Sequence, residues 1–471
     1  MYSLPTKISK IRLILALTAA FALAGCAVGP DYIRPASTLP ESAQDVATAE
    51  APVNPTWWTL FGDADLNALV EQTLAANQDL QAAIARLEAA EAAAREAGAD
   101  YLPRIGLEAS TGRNKSSGET FNGKKIGGAT YNSNRVAATL SYEVDLWGRI
   151  RRNNEAVRAD TLSSRFGRDS LRLTLVSEVA NEYLNLRSLD AQIDVTTQTL
   201  ESRKQALKIV QARVNGGTAS GLEQAQAESA LNSAQAQWSE LKRQRALSES
   251  QIALISGQPG MKIKATGLDQ LPLPPTPPAG LPSALLEVRP DIRQAEEKLV
   301  AANARIGVAK AAYFPAISLT GAYGSESAAL SNLFTAPATI WSAVLGLSMP
   351  IFNAGLTGAR VDQASAGQKE MLANYRKTMQ TAFKEVNDAL VSLRELADEE
   401  TANIAQLDSA RRSLKLSQAR YEAGYVGFLE VLDAQRTTNI AELTYLNSRK
   451  NRLNAAVDLF KALGGGWRED A

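Results

Sequence analysis

Tyr101-Leu102-Pro103-Arg104-Ile105-Gly106-Leu107 recurs 212 residues later as Tyr313-Phe314-Pro315-Ala316-Ile317-Ser318-Leu319. A second match farther along has an offset of 207: Ala212-Arg213, Gly217 and Leu222-Glu223 recur as Ala419-Arg420, Gly424 and Leu429-Glu430. The offset changes between the two matches, so one connection is longer in the first copy, as a loop tolerates. Each copy is far longer than a solenoid or propeller repeat. The sequence therefore predicts a duplicated domain with pseudo-twofold symmetry.

Each copy contains two segments in which apolar and polar residues alternate. The clearest is 136–146, where every even position from Val136 to Leu146 is apolar. Strict alternation is typical of a strand with lipid on one face and water on the other, although a half-buried soluble sheet gives the same pattern. The four predicted strands cover about 104–111, 136–146, 316–323 and 341–351.

Most of the remaining sequence predicts long helices. No proline occurs from Arg149 to Arg213, a length that reaches about 100 Å as a helix. Apolar residues recur there every seven positions, which predicts coiled-coil packing against a neighbour: Val179, Leu186, Ile193, Leu200, Leu207 and Val214. The second copy repeats the series with an interruption at Glu400. Each run ends in a glycine-containing turn, at 214–221 and 421–428, so two long helical hairpins are expected.

The composition excludes several classes of function. The chain has 50 basic and 50 acidic residues, so no basic field attracts nucleic acid. It has no histidine and one cysteine, which excludes histidine-ligated metal sites, Ser-His-Asp or Cys-His catalysis and disulfides. We expect a protein that is not an enzyme and that holds neither a metal nor another cofactor.

The N-terminal residues predict export and lipid attachment. Residues 1–25 contain a basic start, an apolar run too short to span a bilayer and a small-residue cleavage site, as in a signal peptide. Leu23-Ala24-Gly25-Cys26 resembles the bacterial lipobox, which implies cleavage before Cys26 and covalent lipid on that residue. Ala27 follows the cysteine, and in lipoprotein sorting this favours the outer membrane. A signal peptide whose mature chain keeps an unmodified cysteine is the alternative.

These signals divide the chain into consecutive segments. The predicted order is a signal peptide (1–25), a lipid-anchored extended segment (26–62), a first repeat (63–270), a proline-rich linker (271–282), a second repeat (283–467) and a short tail (468–471). Proline-rich sequence in the linker predicts a stiff, extended connection.

Four strands cannot close a membrane barrel, and an open edge in lipid leaves backbone groups without hydrogen bonds. We therefore expect the strands to be shared between subunits. Two chains would give an eight-stranded barrel filled by side chains, and three would give twelve strands with room for a pore. Geometry also permits larger even totals.

Several motifs together resemble the lipoprotein branch of the TolC-like outer-membrane efflux factors. They are Trp57-Trp58-Thr59-Leu60-Phe61-Gly62-Asp63, the two repeated segments quoted first, Asp145-Leu146-Trp147-Gly148, the segment 421–435 and Leu463-Gly464-Gly465-Gly466-Trp467. The resemblance implies an α+β membrane protein whose homotrimer forms a twelve-stranded β-barrel continuous with a twelve-helix periplasmic α-barrel. It further implies a passive duct from periplasm to exterior, joined to an inner-membrane transporter by a periplasmic adaptor protein.

The resemblance also implies two groups of functional residues. Leu429, Glu430 and Asp433 would narrow the pore at its periplasmic end, and Tyr421 would help to hold that end shut. The hairpin tips would contact the adaptor through Gly216, Gly217, Thr218, Ser220, Gly424, Val426 and Gly427. Without the family resemblance, the residues have simpler explanations. Glu430 and Asp433 fit a solvated helix face, Tyr421 fits a coiled-coil seam and the glycines fit simple turns. A lipid-anchored periplasmic coiled-coil adaptor is the alternative function.

Overall fold

The computed structural model describes residues 27–36, 55–115, 130–268, 271–274 and 289–466. The signal peptide 1–25, Cys26, linker residues 275–282 and the tail 468–471 lie outside the described residues. Within the described part of the chain, no helix is both long enough and apolar enough to cross a membrane.

Long helical hairpins and four antiparallel strands dominate the fold, as predicted. The elements are α1 (Ala64–Ala76), α2 (Gln78–Ala99), β1 (Arg104–Lys115), β2 (Thr130–Val144), α3 (Arg149–Asn215), α4 (Gly221–Ile255), α5 (Pro290–Ala311), β3 (Ala316–Ser327), β4 (Thr339–Ser348), α6 (Leu356–Glu422) and α7 (Phe428–Ala462). Helices α3 and α6 contain 67 residues each, and α4 and α7 contain 35 each. The two sequence copies thus form hairpins of equal length.

The chain forms two compact units, and neither coincides with one sequence copy. Among the described residues, unit 1 comprises 27–36, 87–115, 130–164 and 295–375, and unit 2 comprises the rest. Each unit takes segments from both copies. The two copies are therefore similar in sequence and in their hairpins, but they do not fold as separate halves.

In unit 1 the strands form one sheet in the order β1-β2-β3-β4, with every pair antiparallel. The central β2–β3 pair joins the two sequence copies, with Leu140 opposite Gly321. Strand β2 ends two residues earlier than its alternation predicts. The reason is that the Asp145 carboxylate accepts the backbone N–H groups of Ile150 and Arg151 at the start of α3, both at 2.9 Å.

The strand boundaries differ from the predicted ones where the apolar pattern is weak. Strand β2 begins at Thr130 rather than 136, because residues 130–135 carry polar side chains on both faces and show no alternation. Strands β1 and β3 each extend four residues further, for the same reason. Strand β4 is Thr339–Ser348, and Met349 and Ile351 lie beyond its end.

Residues 27–36 lie against helices of unit 1. The Val28 N–H donates to the Trp147 carbonyl at 3.0 Å, Arg152 pairs with Asp31 at 2.6 Å, and Arg34 pairs with Glu296 at 2.6 Å. A Cβ atom added at Gly307 would lie 2.8 Å from the Val28 carbonyl oxygen, so this segment requires glycine in α5. The chain that follows the predicted lipid site is thus held by hydrogen bonds and ion pairs.

The core of unit 2 is built around the aromatic residues that precede α1. Trp57 and Phe61 are buried, and the Trp57 ring stacks on Phe460 of α7 with 5.3 Å between ring centroids. Aliphatic residues of α1, α3 and α4 complete this cluster. Burial of these large rings stabilises the unit by the hydrophobic effect and by ring stacking.

Glu400, which interrupts the apolar heptad series, forms a buried ion-pair cluster between α6 and α7. Its carboxylate, 5% exposed, binds Arg449 at 3.1 Å and Arg452 at 2.6 Å. Arg449 also donates to the Leu271 carbonyl at 2.9 Å, which links the helix pair to the segment that begins the linker. The interruption is therefore a specific polar contact in a coiled-coil seam.

We expect Glu400→Ala to destabilise the protein by about 3 kcal/mol, because it leaves two partly buried guanidinium groups without an anion. Thermal unfolding of the purified protein measures the effect. Glu395→Ala is the matched control in the same helix, since Glu395 is exposed and, among the described residues, forms an ion pair only with Arg394. Equal effects of the two substitutions would contradict a stabilising role for the Glu400 cluster.

Candidate functional site

The α3–α4 tip is a left-handed helix cap. The Thr218 N–H donates to the Arg213 carbonyl at 2.8 Å and the Gly217 N–H to the Val214 carbonyl at 3.0 Å. This hydrogen-bond pair defines a Schellman cap, in which glycine is favoured because φ is positive. The φ of Gly217 is +71°. Ser220 then begins α4 by accepting the Glu223 N–H at 3.3 Å.

The α6–α7 tip repeats this turn. The Tyr425 N–H donates to the Arg420 carbonyl at 2.9 Å and the Gly424 N–H to the Tyr421 carbonyl at 3.0 Å. The φ of Gly424 is +78°, but Gly427 begins α7 without a side-chain cap. No atom lies within 4 Å of a Cβ built on Gly217 or Gly424, so both turns face open space.

The predicted tip residues are mostly exposed. Gly216, Thr218, Ser220 and Gly427 are exposed, as are the two glycines at the caps, and Val426 is half-buried. The backbone of both tips is thus available for close approach by another molecule. This accessibility fits both a contact surface and a plain helical turn.

An apolar cluster beneath the tips connects both hairpins. Buried Phe428 of α7 packs with Val210 of α3 and Ala227 of α4. The Tyr421 ring lies 5.6 Å from the Phe428 ring, and the Arg213 guanidinium lies 5.4 Å from the Tyr421 centroid and donates to its hydroxyl. Tyr421 therefore lies in an apolar seam and also bonds to the other hairpin. Arg213 was not predicted as a site residue, and its only signal was its recurrence as Arg420.

The two predicted carboxylates each have an arginine partner. Glu430 pairs with Arg420 across the tip at 3.0 Å, and Asp433 pairs with Arg436 of the same helix at 2.6 Å. Leu429 is 61% exposed. Neither arginine was predicted as a site residue from the sequence. The spacing of three residues between Asp433 and Arg436 is a signal that could have identified one of them, whereas the contact of Arg420 depends on the fold of the turn.

The strand register sorts the side chains of the sheet onto two chemically different faces. Cross-strand partners lie on the same face, and one face carries an apolar band that crosses all four strands: Ile105, Leu107, Ala109, Val136, Ala138, Leu140, Tyr142, Val144, Ile317, Leu319, Tyr323, Trp341, Ala343, Leu345 and Leu347. Beyond this band, toward the end of β1 and the start of β2, the same face is polar, with Thr111 opposite Asn134. The opposite face carries mainly small and polar residues, with Tyr131, Ile340 and Val344 as exceptions.

No described segment of the chain covers the apolar band. Leu107 and Trp341 are each 76% exposed and Leu345 is 73% exposed. A soluble antiparallel sheet packs its apolar face on a core, and this sheet does not. The apolar stretch of β2, residues 136–144, also has the length that a tilted strand needs to cross the hydrocarbon layer.

Both outer strands have an unpaired edge. Among the residues that the structure describes, β1 pairs only with β2, and β4 pairs only with β3. A lipid-facing sheet with open edges and a chain rich in coiled-coil hairpins together define a subunit of a membrane channel that combines strands and helices.

The chain belongs to the outer membrane efflux protein family, whose model matches residues 69–258 and 281–465. It is 35% identical to the outer membrane protein OprJ of Pseudomonas aeruginosa over 97% of this chain and 96% of that one. It is 33% identical to the cation efflux system protein CusC of Escherichia coli K12 over 96% and 99% of the two chains. The open-state MtrE outer membrane channel of Neisseria gonorrhoeae superimposes with a TM-score of 0.84, at 30% identity over 94% and 98%.

These findings confirm the predicted family, the channel function and the outer-membrane location with extension into the periplasm. The protein is an outer-membrane efflux channel and not an enzyme. The alternative of a periplasmic adaptor is thereby excluded. Within the described residues no group of three His, Cys, Asp or Glu side chains is arranged to hold a metal ion.

We expect Tyr421→Phe to loosen the connection between the hairpin tips, because it removes the hydroxyl to which Arg213 donates while keeping the ring on Phe428. Exposed contacts of this kind are weak, so the mean conductance in planar bilayers should rise only about two- to fivefold. Tyr425→Phe is the control, since the exposed Tyr425 hydroxyl has no hydrogen-bond partner in the described part of the chain. An unchanged conductance in Tyr421→Phe would remove this residue from the closing contacts.

Proposed function

We propose that three copies of the chain form the outer-membrane duct of a tripartite efflux system. The four strands of each copy contribute to a twelve-stranded β-barrel, and the two helical hairpins of each copy contribute to a twelve-helix α-barrel. The observation that carries this proposal is the open sheet of unit 1, with an exposed apolar face and two unpaired edges. Pairing β1 of one copy with β4 of the next satisfies both edges and leaves no backbone group unpaired in lipid.

The number of copies follows from the interior of the barrel. Two copies supply eight strands, whose interior is filled by side chains, whereas three supply twelve and leave an aqueous passage. Polar and small residues on the inner face, such as Ser110, Thr139 and Ser318, suit a wet lumen. A passive duct of this kind needs no catalytic group.

A lipid on Cys26 would anchor each copy beside its own strands. The support is the docking of residues 27–36, since Ala27 lies against Gly148 at the junction of β2 and α3. Attached there, the acyl chains would enter the bilayer close to the sheet. Each buried methylene group contributes about 0.8 kcal/mol to anchoring.

The hairpin tips would form the periplasmic gate. Three copies would bring Leu429, Glu430 and Asp433 together around one opening, with Tyr421 holding the tips to each other within each copy. The ion pairs with Arg420 and Arg436 offset part of the negative charge, so opening would have to rearrange these exposed pairs. Pairs of this type are individually weak, which suits a gate that opens reversibly.

The partners would be a periplasmic adaptor protein and an inner-membrane transporter. The exposed glycine-rich backbone of the tips supports contact with the adaptor at Gly216, Gly217, Thr218 and Ser220 in the first tip and at Gly424, Val426 and Gly427 in the second. Relatives are described as efflux proteins for cations and for toluene. The duct would accept what its transporter delivers.

Substitutions on the two faces of β2 test the trimeric barrel. Leu140→Arg places a charge on the apolar face and should cost about 2–4 kcal/mol per copy near the bilayer midplane, with a much smaller cost for Thr139→Arg on the polar face. The yield of heat-modifiable trimer on gels measures the difference. Comparable trimer yields for the two variants would contradict the assignment of faces and with it the barrel.

Cys26→Ala tests the anchor. We expect loss of palmitate labelling, together with partial retention in the membrane, because the barrel buries far more apolar surface than the acyl chains do. Cell fractionation and metabolic labelling measure both properties. Unchanged labelling of the Cys26→Ala protein would show that the lipid is attached elsewhere.

A further inference from the structure

A polar groove in unit 2 lies between three helices. Its lining residues fall between Val195 and Arg203 on α3, between Arg411 and Gln418 on α6, and between Gln435 and Glu442 on α7. The cavity measures about 290 Å³. On α3 and α6 the lining positions follow helical spacings of three and four residues, so one continuous face of each helix borders the groove over about two turns.

Arg203 is the most deeply buried charged group of this groove. Only 9% of the residue is exposed. One terminal nitrogen donates to the Ala230 carbonyl at 3.0 Å, but the Nε atom is buried without a hydrogen-bond partner. Burial lowers the pKa of its guanidinium, which identifies a charge that the surrounding protein does not fully compensate.

The absence of an anion distinguishes Arg203 from the rest of the described chain. Every other buried Arg, Asp or Glu among the described residues has at least one ion-pair partner, for example Arg187 with Asp190 and Glu400 with Arg449. Leaving a buried charge unpaired is costly, so structures normally compensate it. For Arg203 the described residues provide no carboxylate within ion-pair distance.

The second copy shows that an apolar residue can occupy this position in the same type of hairpin. With the offset of 207, the counterpart of Arg203 in the second copy is Ala410. Ala410 is buried in an apolar cluster with Leu407 and Ala441. The first copy therefore has a buried arginine where an alanine completes the same type of hairpin, and a local departure from good packing of this kind is typical of a functional site.

The other lining groups leave the groove positively charged. Arg411 is paired with Glu442 at 2.8 Å, whereas Lys415 is exposed and, like Arg203, has no carboxylate partner among the described residues. The Gln435 Oε1 atom is buried without a hydrogen-bond donor. The groove thus lacks an anion and a donor, both of which a bound molecule could supply.

We propose that this groove binds an acidic side chain from a helix of the periplasmic partner protein, whose carboxylate completes an ion pair with Arg203. The inference rests on the proposed function, because it specifies how the channel engages that partner. The faces of α3, α6 and α7 that border the groove offer a surface on which a helix of another protein can pack. The cavity is at or below the lower limit for drug-sized ligands, so it fits a few side chains of a docked helix rather than an exported molecule.

A peptide-binding experiment on the full-length protein in lipid nanodiscs tests the proposal. The probe is an alanine-based helical peptide with glutamates at i, i+4 and i+8, compared with the same peptide carrying glutamines. We expect the glutamate peptide to bind about tenfold more tightly, since charge-assisted hydrogen bonds are the stronger class. Arg203→Met, which keeps the aliphatic volume, should remove this preference. Arg412→Gln should retain it, because Arg412 is exposed and contacts Ser409 instead.

Thermal unfolding of the same variants separates binding from a structural role. Arg203→Met should leave the melting temperature unchanged or raise it, because an unpaired buried charge is removed. A fall in melting temperature together with equal weakening of both peptides would show that Arg203 only supports packing, and would overturn the proposal. Stabilisation of the unsubstituted protein by free succinate to the same extent as by the glutamate peptide would also overturn it, in favour of a small-anion site.

The result is distinguishable from failure of the proposed channel. A protein that forms trimers and conducts ions, yet binds both peptides equally, overturns the groove proposal alone. A protein that forms no trimer contradicts the proposed function before any peptide is added.

Discussion

The requirement that every backbone N–H and C=O group in lipid be hydrogen-bonded determines the organisation of this protein. The sheet of one chain meets that requirement in its interior, where β1–β2, β2–β3 and β3–β4 form complete ladders, and fails at the outer edges of β1 and β4. The hydrocarbon layer contains no water that could form hydrogen bonds with an open strand edge. The sheet of the described residues is therefore incomplete in lipid, which is the physical basis for proposing that several copies share one barrel.

The same constraint explains why the duplicated sequence does not fold as two separate halves. One copy alone supplies only two strands, and an isolated hairpin is marginally stable at best. In unit 1, the pairing of β2 with β3 joins the two copies. In unit 2, the stacking of Trp57 on Phe460 joins the segment before α1 to the last long helix, α7. Both compact units thus depend on contacts between residues that are far apart in sequence.

Much of the fold could be predicted because its signals are local and periodic. Alternation from Val136 to Val144 specified the lipid face, and the recurrence of Gly217 as Gly424 specified the left-handed cap of each hairpin. The missed features depend on tertiary geometry. Strand residues 130–135 have no apolar period, and the pairing of Glu430 with Arg420 exists only because the turn returns α7 alongside α6. For the proposed gate, the carboxylates of Glu430 and Asp433 could be predicted from the sequence, whereas the guanidinium groups that pair with them were not.

The two copies also show how a coiled-coil seam accommodates a charge. Glu400 occupies the position equivalent to Ile193, and α7 provides Arg449 and Arg452, whose guanidinium groups compensate its charge. Arg203 occupies the position equivalent to Ala410, and no such compensation evolved within the described chain. The two seams of a duplicated protein are identical at first. Each buried charge, Glu400 or Arg203, is therefore a later change at a position where an apolar residue already packed. The compensated charge, Glu400, contributes to the packing of α6 on α7, whereas Arg203 lacks a carboxylate partner among the described residues, which is why we propose that a partner protein supplies one.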